Sequence, residues 1–108
     1  MVNLSLGCAQ FGINYGYTNS RGKVNQDEVG EIIDLAIKNN INSFDTAQSY
    51  GNSEEVLGKF LPKYQNIKIT TKFLNTKKIF YEDKDINSWE NNFQKSLNNL
   101  RASKIDSF

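Results

Sequence analysis

The chain has 108 residues, of which 38% are hydrophobic and 23% charged, and its formal net charge is +1. This length is normal for one domain, but a complete barrel of eight strand–helix units needs about 250 residues. The small net charge favours neither nucleic acid nor an acidic membrane surface as a partner. One cysteine, Cys8, excludes an internal disulfide bond and favours a reducing, cytoplasmic location. We expect no signal peptide and no membrane span, because no apolar run approaches roughly 18 residues.

The first segment, Val2 to Gly7, alternates weakly between apolar and polar residues, which predicts a short strand. Turn-forming residues without a helical period follow as far as Gly22 and predict a long loop, and loops of this kind are often functional. A helix is predicted to start after the N-cap Asn25 and to end at Asn39 and Asn40. Its apolar stripe at helical spacing consists of Val29, Ile32, Ile33, Ala36 and Ile37.

The middle of the chain predicts a second strand, Ile41 to Asp45, followed by a second helix. Asn52 or Ser53 is expected to cap that helix, and Pro62 is expected to end it. The β-branched segment Ile67 to Lys72 predicts a third strand. The buried side of the second helix is predicted to consist of Val56, Leu57, Phe60 and Leu61.

In the last third, the polar segment Phe73 to Lys84 predicts a solvated loop, and a third helix is expected to start at Ser88. Ile105 to Phe108 has the pattern of a fourth strand at its beginning. The alternation of strands and helices predicts an α/β fold with a parallel sheet of right-handed strand–helix–strand units. One side of the third helix is predicted to carry Trp89, Phe93, Leu97 and Leu100.

Three side chains are predicted to meet at one edge of this sheet. Asp45 and Lys72 end what should be neighbouring strands, which lie about 4.8 Å apart, so their charged groups can touch. Tyr50 follows on the loop above that edge. A nearby ammonium stabilises a phenolate and lowers its pKa from the usual value near 10. The three residues are therefore suited to donate a proton to a carbonyl oxygen that receives a hydride.

Each of these residues also has a simpler interpretation. An isolated Asp–Lys pair at a strand end is more often a surface ion pair, and a lone loop tyrosine is more often a packing residue. No histidine is present to activate Cys8, so packing is favoured over a nucleophilic role. The glycines do not form a Gly-x-Gly-x-x-Gly motif, and no cluster of ligands predicts a metal site.

The segment Ser43 to Gly58 resembles the signature of the aldo-keto reductases, in which Asp, Ala, Tyr-Gly, Ser-Glu and Leu-Gly recur in this order. Lys72 ends an Ile-Thr-Thr-Lys run that is similar to the third strand of the family. Leu6 to Gly12, with Tyr15-Gly16, resembles the first strand and loop of a bacterial branch associated with sugar and surface-polysaccharide genes. The resemblance covers nearly the whole chain. It implies that residues 1–108 form the N-terminal half of a TIM-type barrel, about three and a half βα units.

The resemblance implies NADPH-dependent reduction of an aldehyde or ketone, with NADH as the alternative cofactor. In that interpretation Tyr50 is the general acid, Lys72 lowers its pKa, and Asp45 orients Lys72 and contacts the nicotinamide ribose. No metal is implied. The other implied site residues are Gly7, Cys8 and Ala9 on the cofactor side, and Gln10, Phe11 and Tyr15 on the substrate side.

The chain departs from the family in two places. Cys8 and Ala9 stand where the family often has Thr or Trp, and the chain has no histidine, although the family places a catalytic one shortly after a segment like Ile105 to Phe108. We therefore expect the first half of a reductase. As an open half barrel it should leave apolar strand edges and helix faces uncovered, and it should self-associate, pair with a missing C-terminal half or be only partly ordered. The alternative is a non-catalytic, truncated or split chain that binds a partner or has a structural role.

Overall fold

A computed structural model of the protein describes residues 3–74 and 76–108. Three short strands form one parallel sheet in the order β1-β2-β3, and an α-helix follows each strand. This arrangement confirms the predicted α/β fold with a parallel sheet. The elements are β1 (Ser5–Gly7), α1 (Gln26–Lys38), β2 (Ser43–Asp45), α2 (Ser53–Phe60), β3 (Lys68–Thr70) and α3 (Asp83–Leu100).

All three strands are shorter than predicted: β1 and β2 keep the last three residues of their predicted segments, and β3 begins one residue later and ends two residues earlier. Val2 lies outside the described residues. Leu6, Phe44 and Ile69 lie side by side in register across the sheet. Their side chains belong to the hydrophobic core, in which Phe44 is fully buried. Because side chains alternate along a strand, the residues on either side of these three point to the opposite face of the sheet. The core therefore lies between the sheet and the helices.

The opposite face of the sheet is polar. Its exposed and half-buried positions carry small or polar side chains. Ser43 Oγ donates a hydrogen bond to Ser5 Oγ across it, at 3.1 Å. Exposed large apolar side chains lie elsewhere and include Ile79 and Phe80 on the loop before α3 and Leu35 on α1. The six residues of the polar face are Ser5, Gly7, Ser43, Asp45, Lys68 and Thr70.

Helices α1 and α2 begin close to where the sequence predicted. The Asn25 side chain accepts a hydrogen bond from the Glu28 N–H at 3.0 Å, so Asn25 is the N-cap of α1. Asn52 is the N-cap position of α2, but its side chain makes no capping bond. Helix α2 ends at Phe60, and Pro62 lies in the 3₁₀ turn that follows. Gly58 lets α2 approach α3, because a Cβ there would lie 2.2 Å from the Asn99 carbonyl oxygen.

Helix α3 starts at Asp83, five positions before the predicted start at Ser88. Glu82 is its N-cap and forms a capping box with Asp85, in which each side chain accepts from the other residue's N–H. A hydrogen bond from the Lys78 ammonium, with the Glu82 N–H, lowers the pKa of the Asp85 carboxyl below its ordinary value. The first three residues of α3, Asp83 to Asp85, are charged, and the apolar residues at helical spacing begin only at Ile86.

The predicted fourth strand is present only as a single parallel bridge, between Ser107 and Thr70 at the edge of β3. The Thr71 N–H donates to the Ser107 carbonyl at 3.0 Å, and the Ser107 N–H donates to the Ile69 carbonyl at 3.2 Å. The segment thus runs beside β3 in the expected direction. Within residues 3–74 and 76–108, no helix has the length and apolar character needed to cross a membrane.

Candidate active site

The predicted ion pair forms at the carboxyl end of the sheet. The Lys72 ammonium lies 2.6 Å from Asp45 Oδ1 and also donates to the Thr46 carbonyl oxygen at 2.9 Å. Both side chains are between one third and one half exposed, at 47% for Lys72 and 40% for Asp45. Solvent therefore screens the pair, and its contribution to stability is small. Its effect is to hold a positive charge at a defined place beside the loop that follows β2.

Tyr50 lies beside this charge. The Lys72 nitrogen is 5.5 Å from the centroid of the Tyr50 ring, within the range of a cation–π contact. The Tyr15 ring lies on the other loop, with its centroid 6.4 Å from that of Tyr50 and a tilt of 39°. The structure thus brings together the three predicted catalytic residues, and one predicted substrate residue lies next to them.

A cleft of about 410 Å³ opens at this end of the sheet. Lys72 does not line the cleft itself, but its ammonium is bound to Asp45, which does. Seven of the nine predicted site residues line the cleft, although the sequence places them on two separate segments. They are Gly7, Cys8, Ala9, Gln10, Tyr15, Asp45 and Tyr50.

Phe11 does not line the cleft. It is only 4% exposed and belongs to the hydrophobic core, so the structure does not place it on the predicted substrate side. Gln10 lines the cleft, but its Nε2 donates to the Tyr15 carbonyl at 2.8 Å. The Gln10 side chain therefore holds the loop that carries Tyr15.

Cys8 lies under the cleft with its side chain fully buried. Its Sγ donates a weak hydrogen bond to the Leu6 carbonyl at 3.3 Å, and its N–H donates to the Asp45 carbonyl at 2.8 Å. Burial, reinforced by the Asp45 charge, raises the pKa of the thiol from 9.0 to about 12. The thiol is therefore protonated at neutral pH, which agrees with the packing role that the sequence favoured over a nucleophilic one.

The buried hydroxyls of Thr46 and Ser53 connect the first two loops, a role that the sequence did not predict for them. Ser53 Oγ donates to the Cys8 carbonyl at 2.8 Å and lies 2.8 Å from Thr46 Oγ1. Because Ser53 has one hydroxyl proton, Thr46 is the donor in the second bond. Both side chains are fully buried. Ser53 was expected as a possible helix cap, but its hydroxyl instead fixes the loop after β1 to the start of α2.

A second buried network surrounds Glu54, which is 3% exposed. Its Oε1 accepts hydrogen bonds from Thr71 and Ser96, both at 2.7 Å, and its Oε2 accepts one from Asn99 at 3.0 Å. The carboxylate thus joins α2 to the end of β3 and to α3. Glu54 was noticed in the sequence only as part of a recurring motif, and its burial depends on helices that are distant in sequence.

Comparison with known proteins decides the family. The model of the aldo/keto reductase family matches residues 3–108, which is almost the whole chain. The chain belongs to the aldo/keto reductase family. This confirms the resemblance seen in the sequence, and the members of this family are oxidoreductases.

Relatives and solved structures agree with this membership. A chloroplastic pyridoxal reductase of Arabidopsis thaliana is 40% identical over 60 residues, which cover 50% of this chain and 15% of that protein. Two structures of a Pseudomonas aeruginosa protein assigned to the aldo-keto reductases are 26% identical, with TM-scores of 0.73 and 0.72. In both cases the matched region covers 94% of this chain, and it covers 39% and 38% of the two solved chains. A thermostable aldo-keto reductase solved with the inhibitor epalrestat has a TM-score of 0.65 at 24% identity and shares the fold.

This aldo/keto reductase chain spans between about one seventh and two fifths of the length of these relatives. Its sheet matches the N-terminal part of the barrel in the solved structures, as the sequence predicted. Among the described residues, no group of three His, Cys, Asp or Glu side chains lies together as a metal site would require.

Proposed function

We propose that this chain supplies the proton-donating part of an enzyme that reduces an aldehyde or ketone with NADPH or NADH. One observation carries the proposal: the Lys72 ammonium is held by Asp45 at 2.6 Å and lies 5.5 Å from the centroid of the Tyr50 ring. A tyrosine beside a fixed positive charge is suited to give up its proton, because the ammonium stabilises the phenolate that remains. The family membership makes carbonyl reduction the chemistry that such a proton would serve.

The residues have separate roles in this proposal. Tyr50 donates its hydroxyl proton to the carbonyl oxygen as that oxygen becomes a hydroxyl group. Lys72 stabilises the tyrosinate until it is protonated again. Asp45 holds the ammonium of Lys72 in place, and the Thr46 carbonyl limits the positions of the ammonium further. The bound nicotinamide would supply the hydride that the carbonyl carbon receives.

The cleft fits such a cofactor in two respects. Gly7 leaves its wall open, since a Cβ at this position would meet nothing within 4 Å. A flat ring can therefore approach the backbone at Gly7. Asp45 accepts from Lys72 through Oδ1, and among the described residues Oδ2 has no hydrogen-bond partner. That oxygen is free to accept a bond from a ribose hydroxyl, as the resemblance implied.

The substrate side of the cleft is formed by Tyr15 beside Tyr50. Small-molecule carbonyl compounds are the substrates that this geometry suits, because the carbonyl oxygen must come within hydrogen-bond reach of Tyr50. Pyridoxal is an aldehyde, and one relative is named for reducing it. It is therefore a suitable compound for a substrate panel that also includes simple aldehydes, ketones and sugars.

The experiment is a fluorescence titration with NADPH, followed by carbonyl-dependent NADPH oxidation with wild type and the variant Tyr50→Phe. The variant removes one hydroxyl, and we expect it to bind NADPH normally while turnover falls by about 100-fold or more. Tyr17→Phe is the matched control, because Tyr17 is fully exposed on the same loop as Tyr15 and should lose nothing.

Saturable NADPH binding and turnover that only Tyr50→Phe abolishes would support the proposal. Turnover that survives Tyr50→Phe, or the absence of both binding and turnover in this chain and in any longer form of the protein, would reject it. Binding without turnover in the 108-residue chain, with turnover in a longer form, would place the remaining catalytic groups outside these residues.

A further inference from the structure

Gln48 lies between the two catalytic loops and makes two hydrogen bonds to the segment that begins at Lys72. Its N–H donates to the Lys72 carbonyl at 3.1 Å, and its side-chain Oε1 accepts from the Leu74 N–H at 3.2 Å. Its Nε2 donates to the Asn92 carbonyl and to Ser96 Oγ, both at 2.8 Å. Gln48 thus connects the loop after β2 with the loop after β3 and with α3.

These bonds determine the orientation of the Gln48 amide. Both Nε2 protons are used and the oxygen has a donor. A flipped amide would place an NH₂ group against the Leu74 N–H and an oxygen against the Asn92 carbonyl, which are two repulsive contacts. Ser96 is fixed in turn because its hydroxyl donates to the buried Glu54 carboxylate at 2.7 Å. The contact between Gln48 and the Lys72 segment therefore has one arrangement.

Lys72 is consequently held at both of its ends by one short segment. Asp45 and the Thr46 carbonyl bind its ammonium, and Gln48 binds the backbone from which its side chain departs. The same segment leads directly to Tyr50. A shift of the Lys72 backbone would change the distance from the ammonium to the Tyr50 ring, even with the pair to Asp45 intact.

We infer that Gln48 is a positioning residue that sets where Lys72 stands relative to Tyr50. The inference rests on the proposed function in so far as this placement serves carbonyl reduction. Gln48 touches neither the cleft nor the reacting groups, so its effect should reach catalysis only through Lys72. A displacement of about 1 Å at a catalytic group costs up to about 100-fold in rate.

The test compares two variants that each replace an amide with an apolar side chain of similar size. Gln48→Met removes the side-chain bonds to Leu74, Asn92 and Ser96 and leaves the backbone bond to the Lys72 carbonyl, so it tests how the side chain holds the segment after Lys72. Asn42→Leu is the matched control, because Asn42 Nδ2 donates to the Asn66 carbonyl at 3.0 Å and joins the same two strand segments at their opposite end. The first readout is the rate of reductive methylation of Lys72, followed by peptide mass spectrometry. The second is kcat and KM.

In Gln48→Met we expect Lys72 to be methylated several-fold faster and kcat to fall about tenfold, with the KM for NADPH unchanged within about twofold. Asn42→Leu should change neither quantity. Equal effects in both variants would show a general loss of stability and would overturn the inference, as would unchanged methylation in Gln48→Met. If Gln48→Met does not fold, Gln48→Glu replaces it in the test. This variant keeps an oxygen that accepts from the Leu74 N–H and loses both N–H donors, and the same outcomes decide. If wild type shows no turnover, the proposed function fails, and the methylation rates alone decide the role of Gln48.

Discussion

Gly12 and Tyr50 lie so close together that a Cβ on Gly12 would come within 1.7 Å of the Tyr50 carbonyl oxygen. The same Cβ would lie 2.6 Å from the Ser53 nitrogen. Gly51 has a φ of +56°, and a Cβ there would lie 2.3 Å from the Gly12 carbonyl oxygen. Two glycines therefore allow the loops after β1 and β2 to touch through their backbones. This contact fixes the loop that carries Tyr50 against the loop that forms the other wall of the cleft.

Gly12→Ala should disrupt this contact. Because backbone atoms surround the new methyl group, no side chain can move aside, and we expect a loss of about 3 kcal/mol in the free energy of unfolding. Gly7→Ala is the control, since open space surrounds that position and stability should change by less than about 0.5 kcal/mol. Urea unfolding followed by circular dichroism measures both. Equal stability of the two variants would mean that the two loops do not touch in solution as described.

The buried carboxylate of Glu54 should be a strong contributor to stability. Glu54→Leu would leave Thr71, Ser96 and Asn99 without their shared acceptor, and buried donors without partners cost about 1–3 kcal/mol each before relaxation. We expect the free energy of unfolding to fall by about 3 kcal/mol in total, and urea unfolding measures this fall as a lower midpoint. Glu55→Leu is the matched control, because Glu55 is the exposed neighbour on the same helical turn. Similar midpoints for the two variants would contradict the network.

Cys8 should make stability depend on pH in the alkaline range. Its pKa is raised by burial from 9.0 to about 12, so between these values the unfolded chain releases the thiol proton and the folded chain keeps it. The folded state then binds more protons, and stability falls as the pH rises. Relative to Cys8→Ala, wild type should lose about 1.4 kcal/mol per pH unit above pH 9.

Denaturant unfolding of wild type and Cys8→Ala at several pH values from 8 to about 10.5 measures this difference, because the two proteins differ only in the side chain at position 8. If the free energy of unfolding changed with pH in the same way in both proteins, the prediction of a raised thiol pKa would be wrong. A separate check is the reaction with a thiol reagent at neutral pH, which should require unfolding, since the side chain is fully buried.

The elements that carry the site were predictable because their signals are local. Asp45 and Lys72 each end a run of apolar or β-branched residues, and parallel strands bring their carboxyl ends to one edge of the sheet. The start of α3 was not predictable in the same way. Its N-cap is Glu82, which is not among the favoured capping residues, whereas Ser88, inside the helix, is one of them.

Burial was harder to predict than secondary structure. The family resemblance implied that Phe11 lies beside the substrate, but the 3₁₀ turn at Ala9–Phe11 directs it into the core. Conversely, polar residues such as Glu54 were not expected inside. Both outcomes depend on which surfaces α2 and α3 cover. The loop residues have no regular spacing of apolar residues from which their burial could be predicted.

The sequence by itself determined the order of the elements, the family and the three residues that meet at the sheet edge, because alternation, capping and the recurring motif are patterns between near neighbours. Only the tertiary structure decided how those residues are held. The bonds of Lys72 to Asp45 and Gln48, and of Glu54 to Ser96, join residues that lie 24 to 42 positions apart. Such bonds exist only when packing brings a donor and an acceptor within about 3 Å, and that distance is set by the whole core.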